Sequence, residues 1–339
     1  MPELTYVIPV YNGASFIERT LRSIIEQPGG RPKIIVVDDG STDETVSVIS
    51  TYKSELTLLR QRNAGPSAAR NFGLHAVDTE VVCFVDSDDY LIGPHRQSIE
   101  KSWNENVDMI IGLAAEGNDA YVTLSNRNKY NTDATNYTLL RDFLCDNVVQ
   151  TSTICWSSMF LRKIGGWDEA LFGPEDIELA MRAFLNDARV EISNTPAWVV
   201  WHRHSLQMSQ NLEAKCLKIW RQEELALANL NRSRVVASQV LSHRKLIALI
   251  EKANGDRDIL LLFFQRCMRL GRSLYLNGFR REAIEVMSIA WNRGHTEHNG
   301  PLLERVLANY LGTRVVLSAR SFIGEIKRGG LRRRERPAR

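Results

Sequence analysis

Apolar residues over roughly the first 115 positions fall into two alternating rhythms. Short runs rich in β-branched and aromatic residues, 4–10, 33–37, 56–59, 81–85 and 107–113, read as buried strands. Between them, apolar positions recur at helical spacing. Phe16, Ile17, Leu21, Ile24 and Ile25 form one such set, and Val46, Val48 and Ile49 a second. Ser15 is the expected cap of the first helix and Ser41 or Thr42 that of the second, while Pro66 suits the first turn of a third helix ending near Ala76. Strand and helix alternating this regularly predict an α/β fold with a mostly parallel, doubly wound sheet.

Beyond this the pattern loosens. Residues 116–150, with many Asn, Asp and Thr, predict only a short strand over 121–124 and a helix over 137–145. The run 151–161, with Trp156 inside it, reads as a strand. A helix is expected to open at Glu175-Asp176, followed by strands over 190–192 and 198–201, the last running into His202-Arg203-His204. From about Leu212 the pattern is helical throughout, and 268–291 reads as one helical hairpin turning at Asn277-Gly278. The expected organisation is an α/β domain over 1–210, an α-helical domain over 211–313 and a tail over 314–339.

Composition adds three points. With 339 residues, 44% of them hydrophobic, the chain can fill one large core or two moderate ones. Its five cysteines, an odd number without a Cys-x-x-Cys pair, argue against a disulfide framework or a structural zinc site and fit a reducing cytosol. No signal segment or spanning apolar run is visible. The tail holds nine Lys or Arg against two Glu in a chain of net charge +3, so the body is mildly acidic. Within the tail Val315, Val316, Ala319, Phe322, Ile323 and Ile326 share one helical face flanked by Arg314, Arg320 and Lys327. Such a face reads as an anchor on an anionic membrane surface or as a helix packed on the body. No aromatic or groove motif points to nucleic acid.

The candidate chemistry sits where strands end. Residues 33–37 run into Asp38-Asp39-Gly40, and 81–85 run into Asp86-Ser87-Asp88-Asp89. On an extended segment Asp86 and Asp88 share a face, and carboxylates held that close need a cation between them. A divalent metal bridging a phosphate compound is the expected guest at strand C-termini, with a solvated acidic turn as the bland alternative. The acids of DDGSTDE lack the spacing of a calcium loop.

VIPVYNG, IIVVDDGSTDE, NAGPSAARN, FVDSDDY, GGWDE, FGPEDIEL and WHRH occur in this order over residues 3–210, and together they closely resemble glycosyltransferase family 2, inverting enzymes of the GT-A type. The resemblance implies a GT-A-type, Rossmann-like sheet flanked by helices and a Mn²⁺ or Mg²⁺ cofactor. It implies a nucleotide-diphosphate sugar donor, most commonly a UDP-sugar, held at Pro9, Tyr11, Asn12, Asp39, Arg70, Asp86, Ser87 and Asp88. The metal would lie on Asp86 and Asp88, with His204 reaching it; His202 fits that role equally by spacing. Asp176 matches the general base and Glu175 its neighbour, or else a plain helix-start acid. Trp156 and Trp167 are candidates for an acceptor-sugar platform or for core packing. The acceptor would be a hydroxyl of a growing glycan or a lipid-linked molecule, and the expected place is the cytoplasm, at the inner face of the membrane if the tail anchors. Two other readings compete: a sugar nucleotidyltransferase, for which YNGASF lacks the glycine-rich, basic loop, and a non-catalytic nucleotide-binding scaffold working through its helical half. Neither the acceptor nor the oligomeric state is legible.

Overall fold

The computed structural model describes residues 2–118, 122–124, 134–144, 150–171, 175–193, 199–202, 237–251, 257–276 and 279–294. The chain divides into two units, Met1–Gly255 and Asp256–Arg339. The boundary expected near residue 210, the tail helix and the Asn277-Gly278 turn all lie outside the described residues.

In the first unit the elements run β1 (Leu4–Val10), α1 (Ile17–Ile25), β2 (Lys33–Asp38), α2 (Thr45–Ser50), β3 (Thr57–Arg60), α3 (Pro66–Ala76), β4 (Val81–Phe84), β5 (Tyr90–Leu91) and α4 (His95–Ser102). Then come β6 (Met109–Ile111), β7 (Ala114–Gly117), β8 (Val122–Leu124), α5 (Asn136–Leu144), a 3₁₀ turn (Thr151–Thr153), β9 (Ile154–Ser157), α6 (Ser158–Lys163), α7 (Glu175–Phe184), β10 (Val190–Ile192) and β11 (Val199–His202). A helix α8 follows over 237–251.

Seven strands form the main sheet in the order β10-β6-β9-β4-β1-β2-β3, parallel except for β9, which runs against both its neighbours. A smaller sheet has the order β5-β11-β7-β8. β1 is buried along its whole length, as a strand covered on both faces must be. Its Tyr6, Ile8 and Val10 pack with Ile17, Leu21 and Ile24 of α1, and each such side chain withdrawn from water contributes about 1.5–3 kcal/mol.

Five local expectations are corrected. Ser15 does not cap α1, which is entered through Phe16 and Ile17 amides donated to Gly13 O at 3.0 Å. Neither Ser41 nor Thr42 caps α2; Asp43 accepts the Thr45 amide at 3.0 Å in their place. The run 151–161 is a 3₁₀ turn, a four-residue strand and the start of a helix capped by Ser157, and 107–113 holds the three-residue β6 whole and then the crossover toward the second sheet. Cys83 and Cys155, against the expectation from cysteine count, form a disulfide. Opposed on adjacent antiparallel strands, their Cα atoms lie 4.5 Å apart, a separation that spacing in sequence does not reveal.

The second unit contains the expected hairpin, α9 (Arg257–Leu276) and α10 (Arg280–Gly294). Phe263, Cys267 and Leu274 on one helix and Ala283, Val286 and Ile289 on the other are buried. Gly271 allows the approach, since a Cβ there would stand 3.2 Å from Ala283 O.

One contact fixes where α3 lies on the sheet. A Cβ on Gly73 would overlap Val7 Cγ1 and stand 3.1 Å from Val37 Cγ2, so this helix rests directly on β1 and β2. Gly73→Ala gains about 1 kcal/mol of helix propensity. The clash is expected to outweigh that gain, for a net loss of about 1–2 kcal/mol in urea unfolding.

Candidate functional site

Open parallel sheets bind ligands where successive connections leave a strand in opposite directions. Here that point lies between β1 and β4. The chain steps from β1 through β2 to β3 on one side, then returns through α3 to β4 on the other. Pro9 widens the gap. Val7 O accepts the Val85 amide at 3.0 Å, so odd residues of β1 face β4, while Val10 O faces the other way and accepts Asp39 N at 2.8 Å. Pro9 has no N–H to extend the ladder toward β4. That ladder stops at Val7 opposite Phe84, whereas the one to β2 runs on to Val10 opposite Asp38. Pro9 is buried, and the ladder to β4 ends before it.

At the end of β1, Tyr11 is 51% exposed, with its ring free to stack. Asn12 takes a left-handed φ of 51°, and its side chain accepts the Thr42 amide at 2.8 Å, stapling this exit to the one after β2. Asp38 is fully buried on Arg60 and the Ser41 amide. Asp39 accepts from Gln61 Nε2 and from the amides of Ala64 and Gly65, each at 2.8 Å. It therefore builds the turn into α3, and Oδ2 retains a lone pair for a further donor.

The turn after β4 is held from three sides. Thr20 Oγ1 reaches Ser87 O at 2.8 Å and Asp89 O at 2.6 Å, and Arg19 donates to Asp88 O while lying over the Tyr90 ring. Ser152 Oγ accepts the Asp86 amide at 3.0 Å and donates to Asp89 Oδ2 at 2.7 Å. Asp89 also accepts the His202 amide at 3.3 Å. Burial first, then Asp88 and Asp86, holds the Asp89 carboxyl well above the usual carboxylate range.

A buried cation joins this turn to α7. Arg70, in the second turn of α3 and 5% exposed, donates to Asp86 at 2.8 Å and to Glu175 at 3.4 Å. Its guanidinium lies 4.4 Å above the Trp167 ring, which meets Phe84 edge-on. Trp167 is fixed by Asn71, which accepts its amide at 2.9 Å and donates to its carbonyl and to Glu169. On the other side of the same loop, Arg182 pairs with buried Glu178 and donates to Ile164 O and to Gly166 O. Asp168 pairs with Lys245 of α8.

Glu175 and Asp176 open α7. Asp176 keeps part of its surface exposed but is densely surrounded, and its carboxyl is raised from 3.8 to about 7, by burial first and then by Glu175. Arg70 and the Ile177 amide pull the other way.

Of the residues singled out in the sequence, Tyr11, Asn12, Asp39, Ser87, Asp86 and Asp88 thus gather at the C-terminal rim of β1, β2 and β4, and Arg70 bridges Asp86 to Glu175 beside Asp176. Trp156 lies in β9, 2% exposed, and Trp167 is 3% exposed, so both pack within the protein. His202 is buried, its ring 5.7 Å from that of Phe16. His204 lies outside the described residues. Sequence reasoning missed Thr20, Asn71, Asp89, Ser152 and Arg182. Asp89 stood within the quoted DSDD stretch; Ser152 left no signal, because its reach depends on β9 running backwards.

Among the described residues no group of three or more His, Cys, Asp or Glu is placed to hold a metal. Two carboxylates, Asp86 and Asp88, nonetheless supply hard oxygen donors of the kind that suits a cation completing its shell with phosphate oxygens and water. Arg70 already neutralises part of the Asp86 charge, and the acids around it outnumber it. The donor set fits Mg²⁺ or Mn²⁺ brought in with a diphosphate.

Residues 5–164 match the model of glycosyl transferase family 2. This segment is a family 2 domain. The chain is 35% identical over 114 residues to glycosyltransferase GlyA of Streptococcus pneumoniae, covering 32% of this chain and 16% of that protein. It is 27% identical over 205 residues to the poly(ribitol-phosphate) beta-N-acetylglucosaminyltransferase TarS of Staphylococcus aureus, covering 58% and 35%. The chain therefore spans much less than two thirds of the length of these relatives. The crystal structure of S. aureus TarS 1-349 in complex with UDP-GlcNAc superposes with a TM-score of 0.57 at 19% identity, over 91% of this chain and 80% of that one. The family 2 domain thus has the GT-A-type fold that its motifs imply. Among the described residues no helix is long and apolar enough to cross a membrane.

The raised Asp176 carboxyl has a thermodynamic consequence. A folded-state value near 7 against 3.8 means that stability present below pH 4 is lost as pH rises toward 7. Asp176→Asn has no such loss, so its stability relative to wild type is expected to increase from pH 5 to pH 8 in urea unfolding. A pH-independent difference would contradict this.

Proposed function

We propose that the protein is a metal-dependent inverting glycosyltransferase that moves a sugar from a nucleotide diphosphate, most simply a UDP-sugar, to a hydroxyl of a glycan or lipid-linked acceptor. The observation that carries this reading is the Arg70 bridge, which sets the acidic turn after β4 and the start of α7 around one cleft. The family 2 domain and the likeness to a fold solved with UDP-GlcNAc support it.

In this reading Tyr11 stacks on the base, and the remaining lone pair of Asp39 takes a ring N–H. Asp86 and Asp88 hold the cation, which when bound offsets charge on the departing diphosphate. Asp176 takes the proton from the acceptor hydroxyl as its oxygen attacks the anomeric carbon from the face opposite the leaving group. A carboxylate with a value near 7 is a far better base than an exposed one and is still half ionised at neutral pH. Glu175 raises that value by its charge, and Arg70 keeps Glu175 in place. The basic tail, 314–339, supports attachment to an anionic cytoplasmic leaflet.

Asp176→Asn is expected to keep Mn²⁺-dependent UDP binding by calorimetry within about threefold while turnover of a UDP-sugar falls on the order of 10²–10⁴. Asp88→Ala is expected to lose the metal-dependent part of UDP binding itself. Full turnover in the Asn variant would remove Asp176 from its role. Shortening the chain after residue 313 is expected to abolish sedimentation with anionic liposomes.

A further inference from the structure

Asp89, within the FVDSDDY motif, and Ser152, outside every motif, have no role in the reading above, yet both are buried at the acidic turn, at 2% and 1% exposure. The geometry points to Ser152 and Asp89 as positioning residues for the cation, a hydrogen-bonded relay that sets the turn carrying Asp86 and Asp88 and joins it to the end of β11. This inference rests on the metal reading above and extends it.

The relay is continuous. The Asp86 amide donates to Ser152 Oγ at 3.0 Å, and the Ser152 hydroxyl donates to Asp89 Oδ2 at 2.7 Å. The other oxygen of Asp89 accepts the His202 amide at 3.3 Å, at the end of β11. The Asp89 amide closes the turn on Asp86 O at 3.0 Å. One buried carboxylate therefore anchors both ends of the Asp86–Asp89 turn and a strand of the second sheet. Ser152 reaches it only because β9 is antiparallel, which brings the start of that strand to the rim where β4 ends.

Asp86 and Asp88 point their side chains from a backbone that no regular ladder holds. A hydroxyl on the Asp86 amide fixes the peptide from which the first carboxylate springs. Outer hydrogen-bond partners of this kind typically change metal affinity by 10- to 100-fold when removed. The neighbouring hydroxyl gives an internal control: Thr153 Oγ1 bonds only Gln150 O, at 2.8 Å, within the same 3₁₀ turn.

The test is UDP binding by calorimetry across a Mn²⁺ titration in the full chain, with thermal unfolding recorded beside it. Ser152→Ala is expected to raise the Mn²⁺ concentration for half-maximal UDP binding tenfold or more. Thr153→Ala is expected to lower the melting temperature comparably and leave that concentration unchanged. Equal Mn²⁺ requirement in wild type and Ser152→Ala would overturn the relay and leave the metal reading standing. UDP binding by wild type without any Mn²⁺ requirement would overturn both. Should Ser152→Ala not fold, Asp89→Asn decides. This near-isosteric change replaces one of the two acceptor oxygens with a donor, so either the Ser152 hydroxyl or the His202 amide loses its acceptor; a several-fold higher Mn²⁺ requirement supports the relay and an unchanged one overturns it.

Discussion

The structure turns on a charge problem at one rim of the sheet. Asp86, Asp88, Glu175 and Asp176 come from segments far apart in sequence, and like charges drawn together under partial burial repel strongly. Among the described residues, the buried cation set among them is Arg70. Two carboxylates and an indole face surround its guanidinium, and losing it would leave buried charge uncompensated, a cost of about 3–5 kcal/mol by analogy with other buried pairs. Among the described residues the acids around Arg70 outnumber it. Burial, and after it the charge of Glu175, raises Asp176 toward neutrality.

The scaffold answers this problem with ordinary means. Pro9 ends one ladder early and so opens the sheet where the crossover reverses. Asn12, Asp39 and Thr20 spend side-chain hydrogen bonds on backbone amides and carbonyls of loops that would otherwise be loose. Asn71 and Arg182 grip the Trp167 loop from opposite sides. Binding groups are thus carried on short segments that rigid elements position, rather than on long mobile loops.

Much of this was legible in the chain. Alternation of β-branched runs with helical spacing gave the parallel sheet, because strands covered on both faces must be apolar throughout. Acids abutting two such runs marked the rim, since strand C-termini share an edge. What stayed hidden depended on direction or on long-range pairing. The reversal of β9 has no local signature, and with it went Ser152 and the Cys83–Cys155 bond. Trp156 and Trp167 carried a sugar-binding and a packing reading equally well, and only burial shows that both pack inside. The expected caps failed because Gly13 O and Asp43 already serve those amides.

Helix α3 concentrates several of these duties within four consecutive residues. Arg70 faces the acids, Asn71 grips the loop before α7, and Gly73 rests on β1 and β2. Each added residue turns a helix by about 100°. A single codon gained between Pro66 and Arg70 would swing cation and amide away from their partners at one stroke, whereas point changes can be absorbed singly. Length changes are therefore expected to be borne by the loops on either side, the register of this one helix being a frame that substitutions can decorate but an inserted residue would shift.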